Sequence, residues 1–385
     1  MGEIAVKFLI VIGKMFLQLV YQLLKIFPVH NKVILISRQS NEPSIDFLLL
    51  RDEIRRSAAS VEVVMLCKTL DGGVESAFFN KLGYMFHMFR QMYHLATAKV
   101  VILDSYCIAV SLLKHRKSLQ VIQMWHSMGT MKLFGYTAVG SDEGSSLQLA
   151  EIMHMHENYT YFIAASPNYQ EHLAKGFRCD VRKAFISPLP RYDLLKSKDY
   201  REKKREEIYQ KYPQLKGKKM ILYCPTFRKD ETQMQKAVDS LVKALPEGYN
   251  LVIKLHPLSS VSLRKGNVHT AEAFSTFDML FAADYVISDF SCVIYEAGLL
   301  ELPLFFYTFD KKEYDQNRGL AIDYITEMPG VISGNTNEIM EAISQGKFSI
   351  EDVRNFTNRY IEQTDNATKR IVEFALSVGR IKRER

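Results

Sequence analysis

Val286-Ile287-Ser288-Asp289-Phe290-Ser291-Cys292-Val293-Ile294-Tyr295-Glu296-Ala297 is the stretch that decides the fold. An apolar run closes in small hydroxyl residues and then reopens as a helical pattern. Upstream, Ile221 to Arg228 (ILYCPTFR) and Leu251 to Pro257 (LVIKLHP) repeat the first half of that grammar, with hydroxyl, Arg, Lys or His at the strand end. In a parallel α/β sheet the loops at the carboxyl ends of the strands line one crevice. The freed N–H groups and dipole of the following helix favour an anion there. Three strand ends with phosphate-compatible chemistry point to a phosphorylated ligand of the nucleotide type.

Working back from this stretch, the same alternation fills the first half of the chain. Short apolar runs occur at Val33 to Ser37, Val61 to Cys67, Ala98 to Asp104, Leu119 to Trp125, Tyr161 to Ser166 and Lys183 to Ser187. A second series begins at Met220 to Tyr223 and continues with Asn250 to Leu255, Tyr285 to Ser288 and Leu304 to Tyr307. Strands of this length separated by helical segments predict parallel, Rossmann-like sheets. Between the series lies the charge-dense run Lys196 to Lys219, which reads as a solvated helix face and as the domain boundary. The expected division is 1–27, 28–210 and 211–385, with two α/β domains facing a central cleft. A long C-terminal helix is expected over Ile350 to Val378, followed by a basic tail that reads either as a lipid contact or as a frayed, solvated end.

Composition agrees. At roughly 150 residues per domain, the 385 residues make two domains, and 47% apolar with 24% charged residues is globular rather than disordered. Five cysteines without CxxC spacing argue against a disulfide framework or a zinc site and fit a reducing cytoplasm. A net charge of +7 is modest and does not choose among anionic lipid, phosphorylated substrate and nucleic acid. No basic–aromatic stripe marks a nucleic-acid binder.

Residues 3 to 27 are strongly apolar, with Glu3, Lys7, Lys14, Gln18, Gln22 and Lys25 on one narrow helical face. No small-x-small site follows, so a cleaved signal peptide is not expected, and Lys14 in mid-segment argues against a spanning helix. Two readings remain: a helix buried in the core, or an amphipathic helix in a membrane interface with its lysines toward the headgroups. The second predicts a peripheral protein on an anionic membrane surface.

His126, in Trp125 to Lys132 (WHSMGTMK), ends a strand of the first domain and suits a general base, because an unperturbed imidazole titrates near 6.5. His256 opens a loop where an imidazole can donate to phosphate oxygen. Both also read as structural strand-end histidines. Thr226, Arg228, Ser288 and Ser291 are the donors expected around a diphosphate. Asp289 and Glu296 read as ribose contacts, Asp289 also as a helix cap. No DxD strand end, HExxH or P-loop spacing is present, so no metal and no cofactor is expected. His154 and His156, two apart, would face away from each other on a helix.

The ordered set WHSMGTMK, SPLPRYD (Ser187 to Asp193), ILYCPTFR, IKLHP, ADYVISDFSCVIYEAGLLELPLFFYTFD and YDQNRGLAIDY, with Pro329-Gly330, resembles the CDP-glycerol glycerophosphotransferases that build wall teichoic acid. It runs from about Gln123 to Gly330. The resemblance implies a GT-B architecture and transfer of glycerol or ribitol phosphate from CDP-glycerol or CDP-ribitol. The acceptor implied is a polyprenyl-diphosphate-linked saccharide or growing polymer at the cytoplasmic face of the cell membrane. It places an essential base at His126 and a second histidine, His256, beside the donor phosphates. Nucleotide and diphosphate contacts would be Arg228, Ser288, Ser291 and Glu296, with Arg318 as a further phosphate contact. Lys132 and Arg191, inside the first two motifs, join the substrate-binding set. Polymerase-type members carry a shorter first motif than this chain, which has Ser127 and Met128 inserted after His126. The fit is closer to the short, primase-like members that add one or a few units. Two other classes stay open: a GT-B glycosyltransferase using a nucleotide sugar, and a membrane scaffold with a vestigial cleft. Retention of His126, Arg228, His256 and both serines disfavours the scaffold.

Overall fold

The computed structural model describes residues 3–69, 77–141, 144–228, 230–256, 259–263, 268–317 and 319–382. Its first sheet holds β1 (Lys32–Ser37), β2 (Glu62–Cys67), β3 (Val100–Leu103), β4 (Gln120–Gln123), β5 (Tyr161–Ala164) and β6 (Ala184–Ile186). The second holds β7 (Lys219–Cys224), β8 (Tyr249–Ile253), β9 (Val268–His269), β10 (Tyr285–Ser288), β11 (Leu304–Tyr307) and β12 (Val331–Ser333). The orders are β2-β1-β3-β4-β5-β6 and β12-β11-β10-β7-β8-β9, with parallel pairing throughout. Helices cover the faces, so the central strands are apolar on both sides; every residue of β1 and of β3 is buried. The result is the expected pair of Rossmann-like domains. β9 and β12, two and three residues long, are additions that the apolar runs did not mark.

The expected long C-terminal helix is two helices, Ile350–Tyr360 and Ala367–Val378. The polar run Gln363-Thr364-Asp365-Asn366 breaks it, and the Asn366 side chain restarts it by accepting from the Lys369 amide. The break lets the last helix cross back to the first sheet. There Phe374 stacks on Phe185 at 4.0 Å and meets Tyr161 edge-on. The Asp193 carboxylate caps this helix, accepting from the amides of Ala367 (2.7 Å) and Thr368 (2.9 Å).

The N-terminal helix α1 (Glu3–Leu24) lies on the first domain with both polar and apolar residues on its inward side. Lys14 Nζ donates to the Ile152 carbonyl (2.7 Å), and Gln18 Oε1 accepts from the Lys114 amide (2.9 Å). Tyr21 is fully buried and shares a 2.7 Å hydrogen bond with His115. Lys14 and Gln18 therefore dock on protein, beside Leu17, Val20 and Leu24, while Val11, Ile12, Met15, Phe16, Leu19 and Leu23 are exposed. The exposed apolar residues set aside the core-helix reading, and Lys14, expected toward headgroups, is bonded to protein instead. The physical reason is local: the Ile152 carbonyl and the Lys114 amide take polar partners from α1, while Asn158 serves the Val110, Ser111 and Leu113 carbonyls of the same region. The apolar surface continues past α1 through Phe27, which meets Tyr93 edge-on, to exposed Phe86 on α3 (Ala77–Thr97). Among the described residues no helix is long and apolar enough to cross a membrane.

Candidate active site

The two domains meet along the loops that leave the carboxyl ends of their strands. Met131 to Leu133 of the first domain runs against Gly319 to Ala321 of the second. The Ala321 amide donates to the Met131 carbonyl (2.8 Å) and the Leu133 amide to the Gly319 carbonyl (3.3 Å). Beside this ribbon the hydroxyls of Tyr169 and Tyr295 hydrogen-bond across the junction. A Cβ on Gly129 would come within 2.7 Å of both tyrosine side chains, so glycine at 129 is what lets the domains close there.

His126 follows β4 by a forced turn. Trp125 has φ 66°, a left-handed conformation costly for an aromatic residue. It is held by its amide donating to Gln123 Oε1 (2.9 Å) and by packing against Phe134 and Phe177. The turn brings the His126 ring over Trp125, centroids 4.4 Å apart, and aims Nδ1 at the Asp104 carbonyl (3.0 Å). A carbonyl only accepts, so Nδ1 carries the proton and Nε2 keeps its lone pair. Gln39 Nε2 lies 3.5 Å from the same Nδ1, a contact that the Asp104 bond outcompetes. Burial lowers the pKa of His126, the Asp104 carbonyl opposes this, and the Arg191 charge adds to it. The ring is thus a neutral imidazole presenting Nε2, the form a general base needs.

On the facing domain most expected phosphate donors are occupied. Asp289 is fully buried and accepts from the Thr226 amide (2.9 Å), the Thr226 hydroxyl (2.8 Å) and Arg228 Nη2 (2.9 Å). Arg228 also pairs with Asp310 through Nε and Nη2, and Nη1 donates to the Thr226 carbonyl (2.9 Å). Its guanidinium stacks over Tyr314 at 4.8 Å. Ser288 is buried and its hydroxyl donates to the Cys224 carbonyl (3.0 Å). Thr226, Arg228, Ser288 and Asp289 therefore form one internal brace that sets the loops after β7 and β10, rather than a row of open donors. Asp289 does not cap the next helix, Val293–Leu299, which begins at Cys292 without a side-chain cap.

Other expected residues do face the junction. Lys132 reaches across it to the Thr226 hydroxyl (3.3 Å) and over the Tyr314 ring. His256 is exposed, its ring 5.1 Å from Phe227, and Ser291 is half-buried at the turn after β10. Glu296 is buried. One carboxylate oxygen lies 3.4 Å from Arg191 Nη1, while Oε2 has no hydrogen-bond partner. Desolvation raises its pKa, with Arg191 opposing. Arg318 lies outside the described residues. His154 and His156 sit in a turn rather than on a helix; His154 pairs with Glu157 and His156 with Tyr159.

Three acids that motif reading passed over complete the site. Asp46 and Asp310 hold the two arginines, and Asp104 ends the strand beside His126. Desolvation pushes the Asp104 pKa up to about 6, and its Oδ1 is buried without a partner. Asp104 closes a quoted strand run and Asp310 a quoted motif, which was the available signal; Asp46, in the first turn of α2 (Ile45–Ser57), gave none beyond a helix start.

Comparison with known proteins follows the same line. The model of the CDP-Glycerol:Poly(glycerophosphate) glycerophosphotransferase family matches residues 19–377. The teichoic acid ribitol-phosphate primase of Bacillus spizizenii is 30% identical over 378 residues, covering 93% of this chain and 94% of the primase. The teichoic acid glycerol-phosphate primase of Bacillus subtilis is 26% identical, covering 90% and 92%. Among solved structures, the wall teichoic acid polymerase TagF superimposes with a TM-score of 0.76 at 17% identity, over 98% of each chain. The UDP-GlcNAc 2-epimerase of Neisseria meningitidis follows with 0.58 at 16% identity, over 90% of this chain and all of that one (100%).

Proposed function

Because the chain belongs to the CDP-Glycerol:Poly(glycerophosphate) glycerophosphotransferase family, we propose that its cleft transfers an alditol phosphate from CDP-glycerol or CDP-ribitol to a polyprenyl-diphosphate-linked saccharide, releasing CMP. The observation that carries the reading is the His126 ring at the domain junction, its Nδ1 3.0 Å from the Asp104 carbonyl. An acceptor hydroxyl enters beside His126 and attacks the β-phosphorus in line. The new O–P bond forms as the bond to CMP breaks, and the hydroxyl proton passes to His126 Nε2. Phosphoryl transfer of this kind depends chiefly on positioning and charge neutralisation. Lys132, His256 and Ser291 are assigned to the diphosphate, Arg318 to a further phosphate contact and Glu296 Oε2 to a ribose hydroxyl. The Thr226–Arg228–Ser288–Asp289 brace acts by holding their loops. The acceptor domain is assigned to 28–210 and the donor domain to 211–385, with the last helix returning to the former.

The acceptor's lipid suits the outer face of α1. Its exposed Met15, Phe16 and Leu19, with Leu112, form the apolar side of a groove of about 990 Å³ that Lys14, Gln18 and Lys114 also line. We assign this face, continued by Phe86, to the cytoplasmic surface of the cell membrane, with the helix lying in the interface plane. Incubation with a lipid-linked disaccharide and, separately, CDP-glycerol, CDP-ribitol and a UDP-sugar, followed by mass spectrometry, tests the reading. CMP with a product heavier by one or a few alditol phosphates supports it; UDP with a glycosylated product would establish the glycosyltransferase alternative instead. Addition of one or a few units, rather than a long polymer, is expected from the inserted Ser127-Met128.

A further inference from the structure

Arg191 was expected among the substrate contacts, yet its guanidinium is spent on protein. Its Nε donates to Asp46 Oδ2 (2.9 Å) and Nη2 reaches the same carboxylate, while its amide donates to Asp46 Oδ1 (2.8 Å). Nη2 also donates to the His126 carbonyl (3.3 Å), and Nη1 lies 3.4 Å from Glu296 Oε1 across the domain junction. One planar cation therefore ties three elements together: the start of α2, the turn that carries His126, and the donor-side helix Val293–Leu299. Asp46 is almost completely inaccessible, with its side chain 1% exposed. A bidentate pair of this kind fixes orientation as well as charge.

We propose that Asp46 is a positioning residue for the phosphotransfer: through Arg191 it locks the His126 main chain against Glu296, so that base and donor site keep one separation. The inference rests on the assignment of His126 as base. Asp46 touches no substrate in this scheme; it sets where Arg191 stands, and Arg191 sets where His126 stands. Arg191 also lies close enough for its charge to bear on the imidazole. Among the described residues, Arg191 is the charged side chain that bears on His126, whose ring also bonds the Asp104 carbonyl, and Asp46, Glu296 and Asp104 act on Arg191 in turn.

The test uses the full-length enzyme with CDP-alditol and a lipid-linked acceptor, comparing Asp46→Asn, Arg191→Gln and the double variant. Misplacement of reacting groups by about 1 Å costs on the order of a hundredfold. Asp46→Asn should therefore lose about ten- to a hundredfold in kcat, with the KM for the donor within about twofold of the parent. Asparagine leaves the Arg191 charge less neutralised beside the imidazole and disfavours imidazolium, so the acid limb of kcat/KM moves to lower pH. Arg191→Gln removes that charge and moves the limb to higher pH. The double variant carries no uncompensated buried cation, so it serves if the single ones do not fold. It should keep the kcat loss while its acid limb lies near that of Arg191→Gln. A folded Asp46→Asn, or double variant, with unchanged kcat overturns the proposal. So does a loss of kcat with an unmoved acid limb, which would mark the pair as a plain structural brace. His126→Ala, run alongside, separates the two levels: if it retains turnover the base assignment falls, whereas if it is inactive while Asp46→Asn is normal, only the positioning role falls.

Discussion

Phe16→Ser, on the outward face of α1, isolates the membrane-docking assignment from the catalytic one. Phe16 is 55% exposed, and the residues around it in the helix, Ile12, Met15 and Leu19, are exposed as well. A phenylalanine side chain carries roughly 200 Å² of surface, so about 110 Å² of apolar area at position 16 is open to be buried in lipid. At about 25 cal/mol per Å² that is about 2.7 kcal/mol, or about a hundredfold in the partition constant. Because the residue is more than half exposed, folding should change little. Sedimentation with large vesicles of mixed zwitterionic and anionic lipid, at low and at high salt, reads the effect. The variant should lose about two decades of vesicle affinity at both salt concentrations. Lys14, whose ammonium is already bonded to the Ile152 carbonyl, should contribute little to any salt dependence. A partition constant within about threefold of the parent, or parent binding abolished by salt, would refute the outward-apolar orientation. Deleting residues 1–27 should also release the protein, but it strips partners from the Lys114 amide, His115 and Arg116, so the point variant is the cleaner probe.

Four further outcomes are expected. His126→Ala should lower turnover by about 10²–10⁴-fold while CDP binding, followed calorimetrically, survives; equal loss of both would contradict a base role. Since burial lowers the His126 pKa, kcat/KM should be lost only as pH falls below the ordinary imidazole value of about 6.5, and an acid limb above it would count against His126. Asp289→Asn leaves the buried Arg228 with Asp310 alone; loss of one partner from a buried pair costs about 3 kcal/mol, which should appear as a lower Tm, and an unshifted Tm would mean that the brace is dispensable. His156 is buried with its pKa pushed down to about 4, so its contribution is intact above about 6.5 and is lost as pH falls toward 4. At pH 5 the loss is about 2 kcal/mol, and a denaturation series in His156→Phe should show a correspondingly flatter decline between pH 7 and 5.

The architecture was legible because both sheets are parallel and buried, so each strand is a short apolar run and each strand end is marked by a change of residue type. The loops at those ends were legible for the same reason. What the residues at those ends bind was not. Arg228 and Thr226 look like open donors in a string of letters. The pairing of Ser288 with Cys224 places Asp289 beside the turn after β7, where it takes up both groups. Asp310, a further 21 positions along, completes the clamp from the end of β11. Neighbouring parallel strands thus satisfy each other's end groups, and a list of strand-end residues overestimates the donors left for a ligand. His126 escapes this because the left-handed Trp125 turns it away from the strand line, and only Nδ1 is taken up by the protein.

The N-terminal helix shows the same limit from the opposite direction. Its polar stripe was plain from spacing, but spacing cannot say which side of an amphipathic helix meets protein. That depends on whether the surface beneath it is apolar or carries unmet polar groups. Here the partners are the Ile152 carbonyl, the Lys114 amide and His115, between 94 and 138 positions away. With Lys14 and Gln18 committed to the protein, the large side chains that α1 exposes from Val11 to Leu23 are apolar. Exposed apolar patches of this extent on a folded domain mark an interaction surface rather than a solvated one. The same segment, 153–158, flanks the groove with His154 and Glu157 on one side and packs His156 within 6.4 Å of Trp125 on the other. The rings of His156, Trp125 and His126 follow one another from that segment to the cleft, with centroids 6.4 and 4.4 Å apart.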